Sequence, residues 1–272
     1  MKFFPASSGT REELLDVKIF AHRGLHTEHP ENSVSSLLSA IKAGIHGAEV
    51  DLCTTRDGHI VLMHDAVLDR TSTGEGLIRE KTWEEIRSVK LKDTAGKPTQ
   101  LGVPDFNQVL DLVKEYPDFE LALDPKDVDA VKAAKMVLDR GMENQVQFFV
   151  ADPMNIELAK SIKDVHPNLR ITVNMLTWWK IEDVPCFAAK ALDVDALFAS
   201  EWFFPKYGFE ELNKAQVPVI VYLWGKHDLK QRFERAVELG ADAVSSDDPV
   251  VLLPFVVPLD YRRLSKCQPF TA

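Results

Sequence analysis

Short runs of apolar and β-branched residues alternate along the chain with longer stretches that have helical periodicity. The helical stretches, 128–140, 155–165 and 229–239 among them, place apolar residues near positions i, i+3, i+4 and i+7. Alternation of this kind predicts a parallel sheet, and eight units close it into a (β/α)8 TIM barrel. The eight predicted strands are 18–21, 48–52, 119–123, 146–150, 170–173, 196–198, 217–222 and 243–245.

A ninth apolar run, residues 59–63, does not fit this alternation. It follows the second strand after a short connection that contains Asp57-Gly58, and this dipeptide between apolar runs predicts a hairpin turn. A hairpin makes the ninth strand antiparallel to the second strand. We therefore expect it to lie over the mouth of the barrel, where it returns His64 toward the end of the second strand.

Residues 65–104 are too long for an ordinary connection between barrel elements, so we expect them to form an insertion over the C-terminal mouth. A capping box at Thr82–Glu85 predicts a short helix within this insertion. Asp105 is the predicted N-cap of the helix that returns the chain to the barrel. Because no linker or change in composition marks a second domain, we predict one domain over residues 1–272.

The composition is that of a folded protein, with 45% hydrophobic and 27% charged residues. A formal net charge of -10 and the absence of a basic run argue against nucleic acid as a partner. The three cysteines, Cys53, Cys186 and Cys267, fit neither a disulfide framework nor paired zinc ligands, which favours a reducing compartment. No apolar run has the length of a signal peptide or a membrane span, so we expect a cytoplasmic protein without a transmembrane segment.

The longest apolar run, residues 250–259, contains two prolines and is therefore not a regular helix throughout. We expect it to pack against the barrel as a terminal segment. The alternative is peripheral contact with a membrane surface. No feature of the sequence predicts an oligomeric state.

Three acidic residues fall at the C-terminal ends of predicted strands, where barrel enzymes place their active sites. Glu49 and Asp51 are two residues apart on one strand, so their side chains share a face, and Asp124 ends the next barrel strand. Carboxylates in such proximity repel one another unless a cation lies between them. Three oxygen ligands suit a hard cation such as Mg²⁺ or Ca²⁺ better than zinc. Taken singly, each acid is better explained as a helix cap or as the partner of a base.

Two histidines accompany these acids, His22 at the end of the first strand and His64 after the hairpin strand. Such a pair can supply a base that takes a proton from a nucleophile and an acid that gives one to a leaving oxygen, as cleavage of a phosphodiester would need, and the ordinary histidine pKa of about 6.5 suits both tasks. Arg23 and Lys126 are candidates for binding the phosphate oxygens. The remaining histidines are not placed next to these acids by the predicted strands, and they are interpreted as surface or loop residues: His26, His29, His46, His59, His166 and His227.

These residues lie in a series of motifs that resembles the glycerophosphodiester phosphodiesterase family. In order, the motifs are Ala21-His22-Arg23-Gly24, Pro30-Glu31-Asn32-Ser33, Glu49-Val50-Asp51, Asp57-Gly58 and His64-Asp65. Three further segments resemble the inserted segment of that family: Leu68-Asp69-Arg70-Thr71, Gly74-Glu75-Gly76 and Val103-Pro104. A weaker likeness extends through Asp247 and Pro249.

The resemblance implies metal-dependent hydrolysis of a small-molecule glycerophosphodiester to glycerol 3-phosphate and an alcohol. The attacking group is either water or the glycerol hydroxyl of the substrate itself. The resemblance also implies one divalent cation, Mg²⁺ or Ca²⁺, with His22 and His64 as the catalytic pair and Arg23 near the phosphate. The implied metal ligands are Glu49, Asp51 and Asp124.

Two positions depart from the family pattern. Asp124-Pro125-Lys126 stands where Glu-x-Lys is usual, and Asp-x-Lys resembles the related sphingomyelinase D enzymes. The aromatic strand that usually ends in Trp-Thr-Val-Asn here ends in Tyr222-Leu223-Trp224, and we favour Trp224 over Tyr222 as the residue that lines the substrate pocket.

Aromatic residues at 178–179 and 202–204 follow two other strands and are candidates for an apolar or choline-accepting wall, or for packing between helices. Together with the Asp-x-Lys variant they keep a lysophospholipase D or sphingomyelinase D type activity as the alternative. A barrel that only binds phosphodiesters, without catalysis, is a further alternative.

Overall fold

The computed structural model describes residues 16–150, 156–175, 194–200, 216–225 and 227–256. Its strands, in chain order, are β1 (Lys18–His22), β2 (Gly47–Thr54), β3 (Ile60–Leu62), β4 (Lys90–Lys92), β5 (Pro98–Gly102), β6 (Glu120–Asp127), β7 (Val146–Val150), β8 (Arg170–Asn174), β9 (Ala196–Ser200), β10 (Val219–Leu223) and β11 (Ala243–Ser246). Its α-helices are α1 (Val34–Ala43), α2 (Trp83–Ile86), α3 (Phe106–Lys114), α4 (Ala130–Leu138), α5 (Ile156–Val165) and α6 (Leu229–Glu238). Two 3₁₀ helices span Ile78–Glu80 and Pro249–Phe255.

Eight of the strands form a closed parallel barrel, in the order β1-β2-β6-β7-β8-β9-β10-β11. The barrel closes because β1 pairs in parallel with both β2 and β11. This confirms the predicted (β/α)8 fold and its eight strands, although β6 runs on to Asp127, beyond the predicted end at residue 123. Closure brings the ends of β1 and β11 together, and this pairing positions part of the site described below.

The pleat of each strand separates two apolar layers. On β2, Ala48, Val50 and Leu52 face the helices and belong to the main hydrophobic core, so Glu49 and Asp51 face the opposite way, into the barrel. A smaller cluster fills the barrel interior, where the rings of Phe149 and Phe198 lie 4.9 Å apart. The two acids therefore stand above a packed apolar interior at the C-terminal end of the barrel.

The hairpin predicted after β2 is confirmed. β3 pairs antiparallel with β2, with Cys53 opposite Val61. The turn begins where the amide of Thr55 donates to the carbonyl oxygen of His59, at 2.9 Å. Gly58 has a φ of 84°, which an L side chain adopts only at a cost. The turn predicted from Asp57-Gly58 is therefore present, with the glycine at the position that has a positive φ.

Residues 65–104 form a layer with its own small core. β4 and β5 make a two-stranded antiparallel sheet, and α2 begins at the predicted capping box, in which Thr82 accepts from the amide of Glu85. Asp105 caps α3 as predicted, by accepting from the amide of Asn107. The buried side chains of this layer pack onto the β2–β3 hairpin: Leu68, Ile78, Ile86, Leu91 and Val103 against Cys53, Val61 and Met63. The organisation of residues 1–272 as one domain with this insertion stays a prediction.

The segment that starts at Pro249 packs on the barrel as far as it is described. Leu252 and Val256 are fully buried in the main core, whereas Val250 and Val251 are exposed. Residues 257–259, the aromatic residues at 178–179 and 202–204, Cys186 and Cys267 lie outside the described residues. In the part of the chain that the structure covers, every helix is too short or too polar to cross a membrane.

Candidate active site

The three predicted acids converge at the C-terminal mouth of the barrel. One carboxylate oxygen from each of Glu49, Asp51 and Asp124 lies within 4.8 Å of the other two. The β2–β6 register explains this, because Asp51 and Asp124 are direct partners across the two strands. All three side chains are buried. The shorter acid at position 124 therefore still reaches the same point as the two acids on β2.

The electrostatics of this acid triad are unfavourable without a positive charge. Burial raises the pKa of Glu49 well above its ordinary value, and the charges of Asp51 and Asp124 raise it further. Burial also raises the pKa of Asp124, and Lys126 offsets part of that effect. The triad offers only oxygen donors in a compact buried cluster, which fits a hard divalent cation such as Mg²⁺ or Ca²⁺. We conclude that these residues are suited to hold such an ion.

Two cationic side chains border the triad. The Lys126 Nζ donates to an Asp124 oxygen at 2.5 Å and lies 3.5 Å from Asp51 Oδ1. The Arg23 Nε lies 3.3 Å from Asp51 Oδ2, and its backbone amide donates to Glu49 Oε2 at 3.1 Å. The structure thus places both predicted phosphate-binding residues next to the metal-type carboxylates.

The Pro30-Glu31-Asn32-Ser33 motif supports this arrangement from the loop between β1 and α1. The Asn32 side chain donates to Asp51 Oδ2 at 2.8 Å and accepts from the Asp51 backbone amide at 3.0 Å. Ser33 is the N-cap of α1 and accepts from the amide of Ser36. Glu31 accepts from Arg23 Nη1 at 3.0 Å. The motif therefore orients Asp51, a candidate metal ligand, and Arg23, a candidate phosphate-binding residue. It also starts α1.

His22 is held by a group from the far end of the chain. Its Nδ1 lies 2.7 Å from Asp247 Oδ1, just after β11, and its Nε2 lies 3.8 Å from Glu49 Oε2. Tyr222 Oη lies 2.8 Å from the same Nδ1 and donates to Asp247 Oδ1 at 3.0 Å. Burial lowers the pKa of His22, although the hydrogen bond to Asp247 opposes this effect.

The hydrogen-bond partners fix the tautomer of His22. The hydrogen bond and charge of His22 outweigh burial and hold the pKa of Asp247 at about 2, so its carboxylate is ionised and only accepts. Burial raises the pKa of the Tyr222 phenol, which therefore stays protonated and donates. The Nδ1 of His22 must then carry the hydrogen that Asp247 accepts. Its Nε2 is left as the acceptor on the side of the acid triad.

His64 is also held by a carboxylate, which belongs to the next residue in the chain. Its Nδ1 lies 2.6 Å from Asp65 Oδ1. The hydrogen bond from Arg70 is the main cause that lowers the pKa of Asp65 to about 2, with His64 adding to it. The Asp65 carboxylate is therefore an acceptor for the Nδ1 hydrogen of His64. Both predicted catalytic histidines are thus oriented by a carboxylate behind the ring.

A search against family models matches residues 22–251 to the Glycerophosphoryl diester phosphodiesterase family. The chain belongs to this family. A glycerophosphodiester phosphodiesterase from Caldanaerobacter subterraneus subsp. tengcongensis is 26% identical over 256 residues, which cover 88% of this chain and 97% of that protein. The chain is accordingly an enzyme, a phosphodiesterase of the glycerophosphodiester type.

Solved structures of other phosphodiesterases share the fold. A glycerophosphodiester phosphodiesterase from Agrobacterium tumefaciens superposes with a TM-score of 0.73 at 22% identity, over 86% of this chain and 98% of that one. A phosphodiesterase from Oleispira antarctica, in complex with the product sn-glycerol-3-phosphate, superposes with a TM-score of 0.69 at 22% identity, over 86% of this chain and 94% of that one. These structures support the barrel architecture.

Two aromatic residues, Tyr222 and Trp224, lie at the barrel mouth. They belong to the strand end that departs from the glycerophosphodiester phosphodiesterase pattern. Tyr222 is buried and bonded to the His22–Asp247 pair, whereas Trp224 is 52% exposed. Their ring centroids are 4.8 Å apart. Tyr222 therefore belongs to the support of His22, and the assignment of Trp224 to the pocket wall stays a prediction.

Two of the histidines predicted to be surface or loop residues lie in loops and make specific contacts there. His46 is buried, and its Nδ1 accepts from the backbone amide of Ile19 at 3.1 Å, which ties β1 to the turn after α1. The Nδ1 of His26 lies 2.8 Å from the carbonyl oxygen of His22, and its Nε2 lies 3.9 Å from Asp247 Oδ1. Both residues lie in loops, which agrees with the prediction, but an isolated histidine gives no signal of the backbone groups that fold around it.

Proposed function

We propose that this enzyme hydrolyses glycerophosphodiesters to glycerol 3-phosphate and an alcohol, with one divalent cation held by Glu49, Asp51 and Asp124. The observation that carries the proposal is the pair of carboxylate-oriented histidines, His22 and His64, beside a buried acid triad. The family and the relative named as a glycerophosphodiester phosphodiesterase support the substrate class.

In this proposal the phosphate group binds between the triad and the two bordering cations. The guanidinium of Arg23 lies beside the triad, with its Nε 3.3 Å from Asp51 Oδ2, so in this proposal its positive charge attracts the phosphate oxygens. Lys126 contributes a point charge from a side chain that is 34% exposed. When bound, a divalent cation would neutralise the negative charge that develops on the phosphoryl oxygens.

The histidines transfer the protons. The Nε2 of one ring accepts a proton from the nucleophile, and the other ring, protonated, donates a proton to the leaving alcohol oxygen. The Nδ1 hydrogen bonds to Asp247 and Asp65 keep each Nε2 on the reacting side. The exposed indole of Trp224 lies at the mouth and, in this proposal, contacts the alcohol half of the substrate.

The test of the function is a product-resolved screen of the metal-stripped protein. Glycerophosphocholine, glycerophosphoethanolamine, lysophosphatidylcholine and sphingomyelin are supplied with Mg²⁺ and Ca²⁺ separately, and the phosphorus products are separated. The proposal expects glycerol 3-phosphate from the first two substrates. Turnover confined to the lipid substrates would replace the proposal with the phospholipase D alternative, and no turnover of any substrate would overturn it.

Leaving-group dependence assigns the two histidines. His22→Ala and His64→Ala should each lower kcat by roughly 10² to 10⁴-fold with an ordinary alcohol leaving group. With p-nitrophenolate, which departs without a proton, the loss should shrink only in the variant that lacks the general acid. If both variants keep near wild-type kcat, or if both simply fail to bind metal, these histidines are not the proton-transfer pair.

A further inference from the structure

Arg70 lies in the 65–104 layer and joins two carboxylates that belong to different parts of the site. Its Nε and Nη2 donate to the two oxygens of Asp65 at 2.5 and 3.1 Å. Its Nη1 and Nη2 donate to the two oxygens of Glu31 at 2.9 Å each. All three guanidinium nitrogens are therefore used, in two bidentate pairs.

Each of these carboxylates has a second partner among the site residues. Asp65 Oδ1 is the oxygen that holds the Nδ1 of His64. Glu31 Oε1 accepts from Nη1 of Arg23, the residue that borders Asp51. A continuous series of ion pairs thus runs from His64, through the guanidinium of Arg70, to Arg23 on the other side of the mouth.

We infer that Arg70 is a positioning residue, which fixes the carboxylate behind His64 and is itself held in place by Glu31. The inference rests on the proposed function, because it acts through the proton-transfer role given to His64. A carboxylate with a single histidine partner rotates about its own side-chain bonds, whereas a carboxylate gripped at both oxygens by a planar guanidinium keeps one orientation. In the proposed mechanism, Arg70 touches neither the substrate nor the reacting atoms.

The network differs from an ordinary surface ion pair. Arg70 itself is 47% exposed, but the side chains of Glu31 and Asp65 are only 18% and 24% exposed. Exposed pairs contribute little because solvent screens them and the side chains lose entropy. Arg87, in the same layer, forms such a pair with Glu84, with 58% and 78% exposure. Arg87 is therefore the matched control for Arg70.

The experiment is a double-mutant cycle between Arg70→Met and His64→Ala, with Arg87→Met alongside. In the wild-type background, Arg70→Met should lower kcat by about 10 to 100-fold, which is the size of effect that supporting residues have. In the His64→Ala background, the same change should lower kcat by less than about 3-fold, because its effect passes through His64. Arg87→Met should leave kcat within about 2-fold of wild type.

Arg70→Lys separates geometry from charge. A lysine keeps the charge but cannot form two bidentate ion pairs, so Arg70→Lys should recover only a minor part of the kcat that Arg70→Met loses. Guanidinium ions added to Arg70→Ala should recover more. Thermal unfolding of each variant shows whether a loss of fold explains the result.

Two outcomes overturn the inference. In one, Arg70→Met lowers kcat by the same factor in the wild-type and His64→Ala backgrounds, which means that the two residues act independently. In the other, Arg70→Met behaves like Arg87→Met. A wild-type protein that hydrolyses no phosphodiester would instead overturn the proposed function, so the two failures are distinct.

Discussion

At the scale of single residues, the chemistry depends on which ring nitrogen of each histidine carries its hydrogen. Asp247 accepts from the Nδ1 of His22, and Asp65 accepts from the Nδ1 of His64. In the proposed mechanism each Nε2 then exchanges a proton with the substrate. The acid that sets the tautomer is as necessary to the proposal as the ring itself.

Asp247→Asn tests this dependence. An asparagine side chain offers both a donor and an acceptor, so it no longer selects the tautomer of His22 or stabilises its protonated form. We expect kcat to fall by about 10² to 10³-fold with little change in KM. The neighbouring Asp248→Asn is the control, because the Asp248 side chain makes no capping hydrogen bond. Equal kcat values for the two variants would show that Asp247 does not orient His22.

The residues that set the tautomers were only partly predictable. The sequence places His22 and His64 at strand ends next to metal-type acids, but Asp247 is 225 positions from His22. Their contact follows from the closure of the barrel, in which Ala21 pairs with Ser246. Strand register is a tertiary property, so a periodic pattern predicts the strands without predicting which side chains meet across them.

At the scale of elements, the turn after β1 has to bring Arg23 over Glu49 and then start α1. Gly24 has a φ of 77°, and a Cβ added there would lie 2.3 Å from the Ser36 Oγ. A side chain at this position is therefore excluded by both the backbone conformation and the first turn of α1. The Arg23-Gly24 pair in the sequence reflects this close approach.

Gly24→Ala should consequently be far more damaging than Gly96→Ala. Gly96 has a nearly identical φ of 78°, but an added Cβ there meets nothing within 4 Å. We expect Gly96→Ala to cost about 1 kcal/mol of unfolding free energy, and Gly24→Ala roughly 3 kcal/mol or more because a clash is added to the strain. Chemical denaturation measures both values. Equal costs would mean that the contact with Ser36 is not a constraint.

The elements themselves were the most predictable level. Eight strands, the β3 hairpin and the caps at Thr82 and Asp105 follow from periodicity and turn chemistry. The 65–104 layer was predicted as an insertion, but its contribution of Arg70 to the site was not. A surface-type arginine has many rotamers, and only the packed layer places this one between Glu31 and Asp65.

At the scale of the whole molecule, ionisation of the two orienting acids contributes to stability. The folded protein holds the pKa of both Asp65 and Asp247 at about 2, below the ordinary value of about 3.9. Because the folded values are depressed, this stabilisation is complete above the unfolded pKa and is lost as the pH falls through the folded value.

The pH dependence of the free energy of unfolding tests this linkage. The gap between wild type and a variant with Asp65→Asn and Asp247→Asn should shrink steadily as the pH falls from about 4 toward about 2. Urea denaturation at a series of pH values measures the gap. A gap that stays constant, or that widens on acidification, would contradict ion pairing by these carboxylates.

The proposed hydrolysis at a divalent cation held by the three buried acids can be tested through metal-dependent turnover of glycerophosphocholine. The protein is stripped with chelator, its metal content is measured, and Mg²⁺ or Ca²⁺ is added back to wild type and to Asp51→Asn. We expect no turnover in the stripped protein, recovery with about one ion bound per chain, and no recovery in the variant. Undiminished hydrolysis by protein shown to contain no metal would contradict the proposal.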